Sequence, residues 1–292
     1  MSKIKIVTDS SSDIPDELLK ELDIELLYIP ITVDGKGCHE RVDFSIDEYY
    51  DVLTNAKEIP KTSMVPEPKF YECYKRAMEA GYTDVIVVTI ASALSGTFSS
   101  ANKAMQRFYE ENPGSEAAIK IHPVDSRACT LAYGFPVMNS VKMAREGKSV
   151  DEILAYMKDW FERVEIHLGV FTLEHAKRCG RISGMSAFIG EALGLRPIIK
   201  LIDGKTSIDG KVRGDNKVVL RLFDNYKNSR TSVNDDVIVM KGRDEKYAQD
   251  LVALLEKETG RPVPVFQVGA AIITNTGPRP LAVICLGNSR KT

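Results

Sequence analysis

A chain of 292 residues is long enough for two domains of roughly 150 residues each with full-sized cores. Apolar residues make up 43% and charged residues 27%, and 39 basic side chains against 41 acidic ones leave a net charge of −2 with no basic block, which excludes the electrostatic footprint of a nucleic-acid binder. No apolar run approaches the ~20 residues of a membrane span, Met1 to Lys5 leads into a strand without a signal-peptide core, and five scattered cysteines without a CxxC spacing point to free thiols in a cytoplasmic protein rather than zinc or disulfides.

Ile4 to Val7 reads as a first strand, followed by Thr8-Asp9-Ser10-Ser11-Ser12-Asp13. Pro15 then opens a helix to Leu22, with Asp13 as its expected N-cap and Ile14, Leu18, Leu19 and Leu22 on one face. Leu26 to Ile31 reads as a second strand, Asp34-Gly35 as a turn, and Ser45 with Glu48 as a capping box. Pro60, Pro66 and Pro68 stiffen a loop that presents Thr62 and Ser63. A helix from Pro68 to Ala80 follows and closes at Gly81.

Val85 to Val88 is a buried-strand pattern of four aliphatic residues without polar alternation. Directly after it, Ser92, Ser95, Gly96, Thr97, Ser99 and Ser100 lead into a helix expected from Ala101 to Glu110. Such a strand–turn–helix passage aims unsatisfied backbone N–H groups and the positive end of a helix dipole at one point, which suits an anion. Gly96 allows close approach of a ligand. The same residues also make an ordinary capped helix start, and both readings stay open on the residues alone.

Ile119 to Val124 is a further strand, ending in Asp125-Ser126-Arg127, and Thr130 to Arg145 a helix. Strands at Ile4, Leu26, Val85 and Ile119 alternate with helices, which predicts a parallel α/β sheet. Ligands bind beyond the carboxyl ends of such strands, where Asp9 to Ser12, Ser92 to Thr97 and Asp125-Ser126 gather. A boundary is expected between Gly147 and Val164, where Ser149 and Glu152 form a second capping box, dividing the chain into domains 1–160 and 161–292. Beyond it come a strand at Ile166 to Thr172, a short helix from Leu173 to Cys179, and a turn at Arg181 to Gly184 into Ala187 to Leu193. Pro197 to Ile202 and Lys205 to Val212 read as a hairpin around Asp203-Gly204. Lys217 to Tyr226, Val237 to Lys241, Tyr247 to Glu258, Val263 to Val268 and Leu281 to Leu286 complete a second α/β domain with antiparallel content. Gly269 to Pro278 is a run of small and apolar residues ending in Asn275 and Thr276.

Several chemistries are missing. His39, His122, His167 and His175 lie in no HExxH and beside no nucleophile motif, and each reads as a surface or satisfied structural residue. There is no GxSxG, no GxxxxGK[ST] and no GxGxxG. Hydroxyls without a paired base are binding groups rather than nucleophiles.

Six motifs in order, T-D-S-S-S-D (8–13), T-S (62–63), S-A-L-S-G-T (92–97), D-S (125–126), G-R-I-S (180–183) and T-N-T-G-P (274–278), resemble those of the DegV family over almost the whole chain. The resemblance implies an α/β protein of two domains. The N-terminal one is a parallel-sheet α/β/α domain with the head-group site, and the C-terminal one has a mixed or antiparallel sheet and covers an acyl tunnel. It further implies one long-chain fatty acid held in that tunnel, without a cofactor, by a lipid-binding subunit that is not itself an enzyme. Such a subunit presents the carboxylate to a separate ATP-dependent fatty acid kinase, for bacterial phospholipid synthesis, with transient membrane contact. By the same resemblance Thr62 and Ser92 hydrogen-bond the carboxylate, Ser95 and Gly96 lie close by, and Asn275 and Thr276 belong to the last head-group motif. Arg181 stands near the tunnel mouth or in a structural salt bridge. Family members commonly carry histidine at position 275 and glycine at positions 273 and 279, where this chain has Asn275, Ile273 and Arg279. The alternative reading from a different class is a small-anion or phosphoryl-transfer enzyme with a metal at Asp9 and Asp125.

Overall fold

The computed structural model describes residues 3–185 and 194–290, so the helix expected at Ala187 to Leu193 lies outside the described residues. Along the chain, β1 (Ile4–Asp9) passes through a 3-10 turn at Ser10–Ser12 into α1 (Asp16–Leu22). Next come β2 (Glu25–Leu27), β3 (Pro30–Val33), β4 (Lys36–His39), α2 (Ile46–Asn55), β5 (Lys61–Thr62) and α3 (Glu67–Glu79). They are followed by β6 (Asp84–Thr89), α4 (Thr97–Glu111), β7 (Lys120–Asp125), α5 (Leu131–Arg145) and α6 (Val150–Arg163). The remainder runs β8 (Val164–Val170), α7 (Leu173–Arg178), β9 (Leu195–Ile202), β10 (Lys205–Arg213), α8 (Asn216–Ser229), β11 (Val237–Lys241), α9 (Glu245–Thr259), β12 (Val265–Gln267), α10 (Ala270–Thr276) and β13 (Pro280–Leu286).

These elements pack as two units, Met1–Pro30 with Thr62–Phe161, and Ile31–Lys61 with Glu162–Thr292. The second change of unit falls between Phe161 and Glu162, beside the boundary expected from sequence. The first unit is nevertheless not the continuous stretch 1–160, because the segment 31–61 packs with the C-terminal residues.

In the first unit a parallel sheet has the order β2-β1-β6-β7. β6 is buried along its whole length, as its uninterrupted aliphatic run requires. Parallel register pairs Thr8 with Val88 and Thr89 with Asp125, so the carboxyl ends of β1, β6 and β7 finish side by side. The expected second strand breaks in two. β2 stops at Leu27, and the Ile29 amide turns to the Ser10 hydroxyl at 3.0 Å instead of extending the ladder. Asp13 is not the N-cap of α1. It closes the 3-10 turn in a left-handed conformation, its N–H donating to Ser10 O, and Pro15 stands at the cap position. α4 begins at Thr97, four residues earlier than its apolar pattern suggests, because the hydroxyl residues themselves form its first turn.

The second unit carries a mixed six-stranded sheet, order β10-β9-β8-β13-β11-β12, antiparallel except between β11 and β12. The β9–β10 hairpin turns at Asp203 (φ 52°) and Gly204 (φ 73°), the two positive φ values that a twisted two-residue loop demands. Its core packs α8 and α9 on the sheet through Val218, Leu222, Tyr226, Leu251 and Leu255. The run expected after Gly269 is a short helix, α10. It is fixed by the Ala270 amide donating to Glu40 Oε1 at 3.0 Å and by Tyr49 Oη against Thr274 Oγ1 at 2.6 Å. A separate three-stranded sheet has the order β4-β3-β5.

Candidate functional site

Asp9, at the carboxyl end of β1, is fully buried. Its carboxylate accepts from Ser11 N at 3.0 Å, Ser11 Oγ at 2.5 Å, Ile90 N at 2.8 Å and Tyr133 Oη at 2.7 Å. Burial pushes its pKa up, and the hydrogen bonds from Ser11, Tyr133 and Ile90 oppose that rise. Four donors match the number of lone-pair sites on a carboxylate. Asp9 therefore braces the ends of β1 and β6 against α5, and Ser11 O adds a bond from Thr130 N at 2.9 Å. Among the described residues no three His, Cys, Asp or Glu side chains come together as a metal shell.

The turn after β6 is built differently. Ser92 is exposed. Its N–H donates to Asp125 Oδ1 at 3.0 Å and its hydroxyl to Oδ2 at 2.5 Å, while Arg127 N also donates to Oδ1 at 3.0 Å. Asp125, at the end of β7, thus holds both the Ser92 backbone and its only hydroxyl hydrogen. Ser95 Oγ lies 2.9 Å from Thr97 Oγ1 and accepts from Thr97 N at 3.3 Å. Thr97 Oγ1 in turn accepts from Val65 N at 3.2 Å, which ties the proline-stiffened segment holding Thr62 to the start of α4. Gly96 also lies against a neighbour in the protein itself, since a Cβ there would come within 2.6 Å of Met64 Sδ. Met64 is 52% exposed beside these hydroxyls. The N-cap residue of α4, Gly96, has no side chain to cap it; Ser95 Oγ takes the Thr97 amide, and the other first-turn amides lack intrahelical acceptors. The outcome is a surface of hydroxyls and amide N–H groups at the carboxyl edge of the parallel sheet, able to hydrogen-bond an anion.

Thr62, Ser92, Ser95 and Gly96 therefore all belong to the first unit. Asn275, Thr276 and Arg181 belong to the second. In α10, Asn275 Nδ2 donates to Ala271 O at 2.9 Å, and the buried Thr276 hydroxyl donates to Ile272 O at 3.1 Å. Arg181 is exposed, with Nη1 donating to Cys179 O at 2.6 Å, and it makes no carboxylate salt bridge among the described residues. Arg279, where the resemblance expects glycine, pairs with Asp244 at 2.6 Å and Asp215 at 3.4 Å and lies over the Phe171 ring.

Sequence reasoning missed three features. Asp125 was read as a metal candidate and not as the acceptor that orients Ser92. Met64 carried no signal beyond its apolar character. His175 was expected to be a surface or satisfied residue, yet its Nδ1 is buried without a hydrogen-bonding partner, as is Thr172 Oγ1. Burial holds the pKa of His175 below the usual histidine value.

The sequence pattern of the DegV family, described as uncharacterised proteins, matches residues 3–288. A DegV domain-containing protein of Caldanaerobacter subterraneus is 31% identical, the match covering 95% of this chain and 96% of the relative. One of Clostridium perfringens is 30% identical over 100% of both chains. Among solved structures, a fatty acid binding DegV family protein of Streptococcus agalactiae superposes with a TM-score of 0.86 at 28% identity, covering 99% of this chain and all of the other. A DegV family protein of Thermus thermophilus, described by its fatty acid binding, gives 0.83 at 28% identity, with 98% of this chain and all of the other covered.

Proposed function

This chain belongs to the DegV family, and from that premise we propose that it holds one long-chain fatty acid, its tail in an interior tunnel and its carboxylate at the hydroxyl turn, and presents that carboxylate to a separate ATP-using kinase. The observation that carries the reading is the Ser92–Thr97 turn, with the exposed Ser92 hydroxyl, the half-buried Ser95 hydroxyl and the first-turn amides of α4, in a chain similar to fatty-acid-binding proteins over its whole length. No specific observation favours the metal-dependent alternative, because the oxygens of Asp9 and Asp125 are engaged in bracing their loops.

Tail and head divide the task. Each buried methylene contributes about 0.8 kcal/mol, so a chain of roughly fourteen offers on the order of 11 kcal/mol before the costs of association. A hydrogen bond nets roughly 1 kcal/mol, more when charged. The tail therefore sets affinity, while Thr62 and Ser92 set orientation. A carboxylate arriving at Ser92 competes with Asp125 for one hydroxyl hydrogen. The Ser92 and Arg127 amides remain on Asp125, so the hydroxyl can swing to the ligand without unfolding the turn. Phosphoryl transfer then requires a carboxylate oxygen to attack the γ-phosphorus of ATP, with ADP as the leaving group. The kinase supplies that chemistry, and this chain supplies a fixed acyl carboxylate.

Protein purified without detergent, denatured and extracted should release about one acyl chain per polypeptide in mass spectrometry. Adding a kinase of this class with labelled ATP should convert the bound acid to acyl phosphate. Protein that is free of lipid and takes up neither palmitate nor oleate would overturn the binding reading. Binding without transfer by any such kinase would overturn the presentation step alone.

A further inference from the structure

Among the described residues Met64 is the one exposed methionine. Its side chain is 52% exposed, whereas the others are half-buried or buried. Its sulfur lies against Gly96, where a Cβ would come within 2.6 Å of Sδ. Gly96 is itself exposed and stands at the N-cap position of α4. The backbone on either side of the methionine is held. Ser63 N donates to Pro30 O at 3.0 Å, Val65 N donates to Thr97 Oγ1 at 3.2 Å, and the Val65 side chain is fully buried. The segment is therefore fixed beside the hydroxyl turn, and any chemistry at the sulfur takes place next to Gly96.

A thioether carries no charge and is only a weak hydrogen-bond acceptor. It lies on the turn without claiming the first-turn amides of α4. Oxidation reverses this property. A sulfoxide is polar and chiral, and its oxygen bears partial negative charge and accepts hydrogen bonds readily. Beside Gly96 that oxygen competes for the same amides and hydroxyls that a carboxylate needs, and it opposes the carboxylate with charge of the same sign. Exposure also selects the residue, because a peroxide in solution reaches an exposed sulfur before one packed in a core.

We propose that Met64 is a modification site, whose oxidation to the sulfoxide by a peroxide weakens the hold of the hydroxyl turn on an acyl carboxylate and whose reduction restores it. The inference rests on the fatty-acid reading of that turn. In the step, a lone pair on Sδ attacks one oxygen of hydrogen peroxide, so that an S–O bond forms and the O–O bond breaks. The proton on the new S–O group passes to the departing hydroxide, which leaves as water. Sulfur is oxidised by two electrons and the peroxide is reduced by two.

The test treats the full chain, delipidated, with hydrogen peroxide and then with dithiothreitol, which reverses sulfenic acids and disulfides at cysteine and leaves methionine sulfoxide in place. Peptide mass spectrometry should find the added oxygen on Met64 before the other methionines of the described residues. Palmitate affinity should fall about tenfold in the oxidised parent. It should return after treatment with methionine sulfoxide reductases for both epimers. Met64→Leu, an apolar replacement of similar volume, should keep its own starting affinity through the same treatment. Oxidation that falls first on another methionine, or a parent that binds equally well before and after Met64 is oxidised, would overturn the inference and leave the fatty-acid reading standing. An equal loss in Met64→Leu would do the same, since it places the damage elsewhere. Protein that binds no palmitate even before oxidation overturns the fatty-acid reading, and this inference with it.

Discussion

Ser92 has one hydroxyl hydrogen, and Asp125 takes it at 2.5 Å. Ser92→Ala keeps the amide bond to Asp125 and removes only an exposed hydroxyl. We expect palmitate affinity to fall by about 1–2 kcal/mol with the thermal midpoint unchanged. A large drop in that midpoint would make the hydroxyl structural. Gly96→Ala separates two uses of the same glycine. The atom in its way is the end of an exposed, flexible methionine, so the fold should tolerate the methyl group. Calorimetry should then show unchanged unfolding and weaker palmitate binding, and equal affinity would leave Met64 as the glycine's whole purpose. Asn275→His restores the residue that the family commonly carries. Asparagine here donates to Ala271 O at 2.9 Å and holds no charge, whereas histidine gains a proton near pH 6.5. Fatty-acid binding should tighten below about that pH in the variant and not in the parent. Matching affinities across the range would show that position 275 does not face the head group.

At the scale of elements, α5 shows how a sequence irregularity is repaired in three dimensions. Pro136 sits inside the helix and has no N–H for the carbonyl of Ala132. Trp160 of α6 fills that vacancy, its Nε1 donating to Ala132 O at 2.7 Å, and its ring stacks on Phe135 at 5.1 Å. Trp160→Phe preserves an aromatic ring but leaves a buried carbonyl without a donor. Chemical denaturation should report a loss of about 1–3 kcal/mol, and a smaller loss would mean that another donor reaches the carbonyl. Helix α5 also meets the β1 loop closely, since a Cβ on Gly134 would lie 2.4 Å from Ser12 O. Leu131, Tyr133, Val137 and Met138 of the same helix are buried.

At the scale of the whole molecule, pH acts on the second unit through Glu165. This buried carboxylate at the start of β8 meets Lys200 at 3.1 Å, Arg290 at 3.2 Å and His167 at 3.6 Å. Burial alone would raise its pKa, but hydrogen bonds from His167, Lys200 and Ser229 hold it at about 2 against an ordinary 4.5. A depressed carboxylate pKa contributes stability that is fully present above the unfolded value and disappears as pH falls through the folded one. The acid limb of the stability curve should therefore descend between pH 4.5 and about 2. In Glu165→Gln that limb should flatten, with on the order of 3 kcal/mol lost near neutrality. An unchanged acid limb, followed by circular dichroism, would show that other carboxylates govern it.

Much of this was legible along the chain because its causes are local. The aliphatic run of β6, the Ser45–Glu48 and Ser149–Glu152 capping boxes, the Asp203-Gly204 turn and the alternation that makes the first sheet parallel each depend on residues a few positions apart. The hydroxyl turn was visible as a composition, and its place at the carboxyl edge of the sheet followed from the alternation. What composition could not supply was the direction of each hydrogen bond. Ser92 is oriented by an acceptor 33 residues away, and Asp9 is filled by donors 81 and 124 residues away. Nothing near Thr172 or His175 announces that both will face Gly277. Sequence by itself determined most of the elements and the fold class, because propensity, periodicity and turn chemistry act over a few residues, while the family rested on the resemblance of six motifs in order. Tertiary structure decided that residues 31–61 join the C-terminal unit, that Asp9 braces rather than binds, and which polar atoms end up without partners, because burial and donor direction exist only once distant segments have packed.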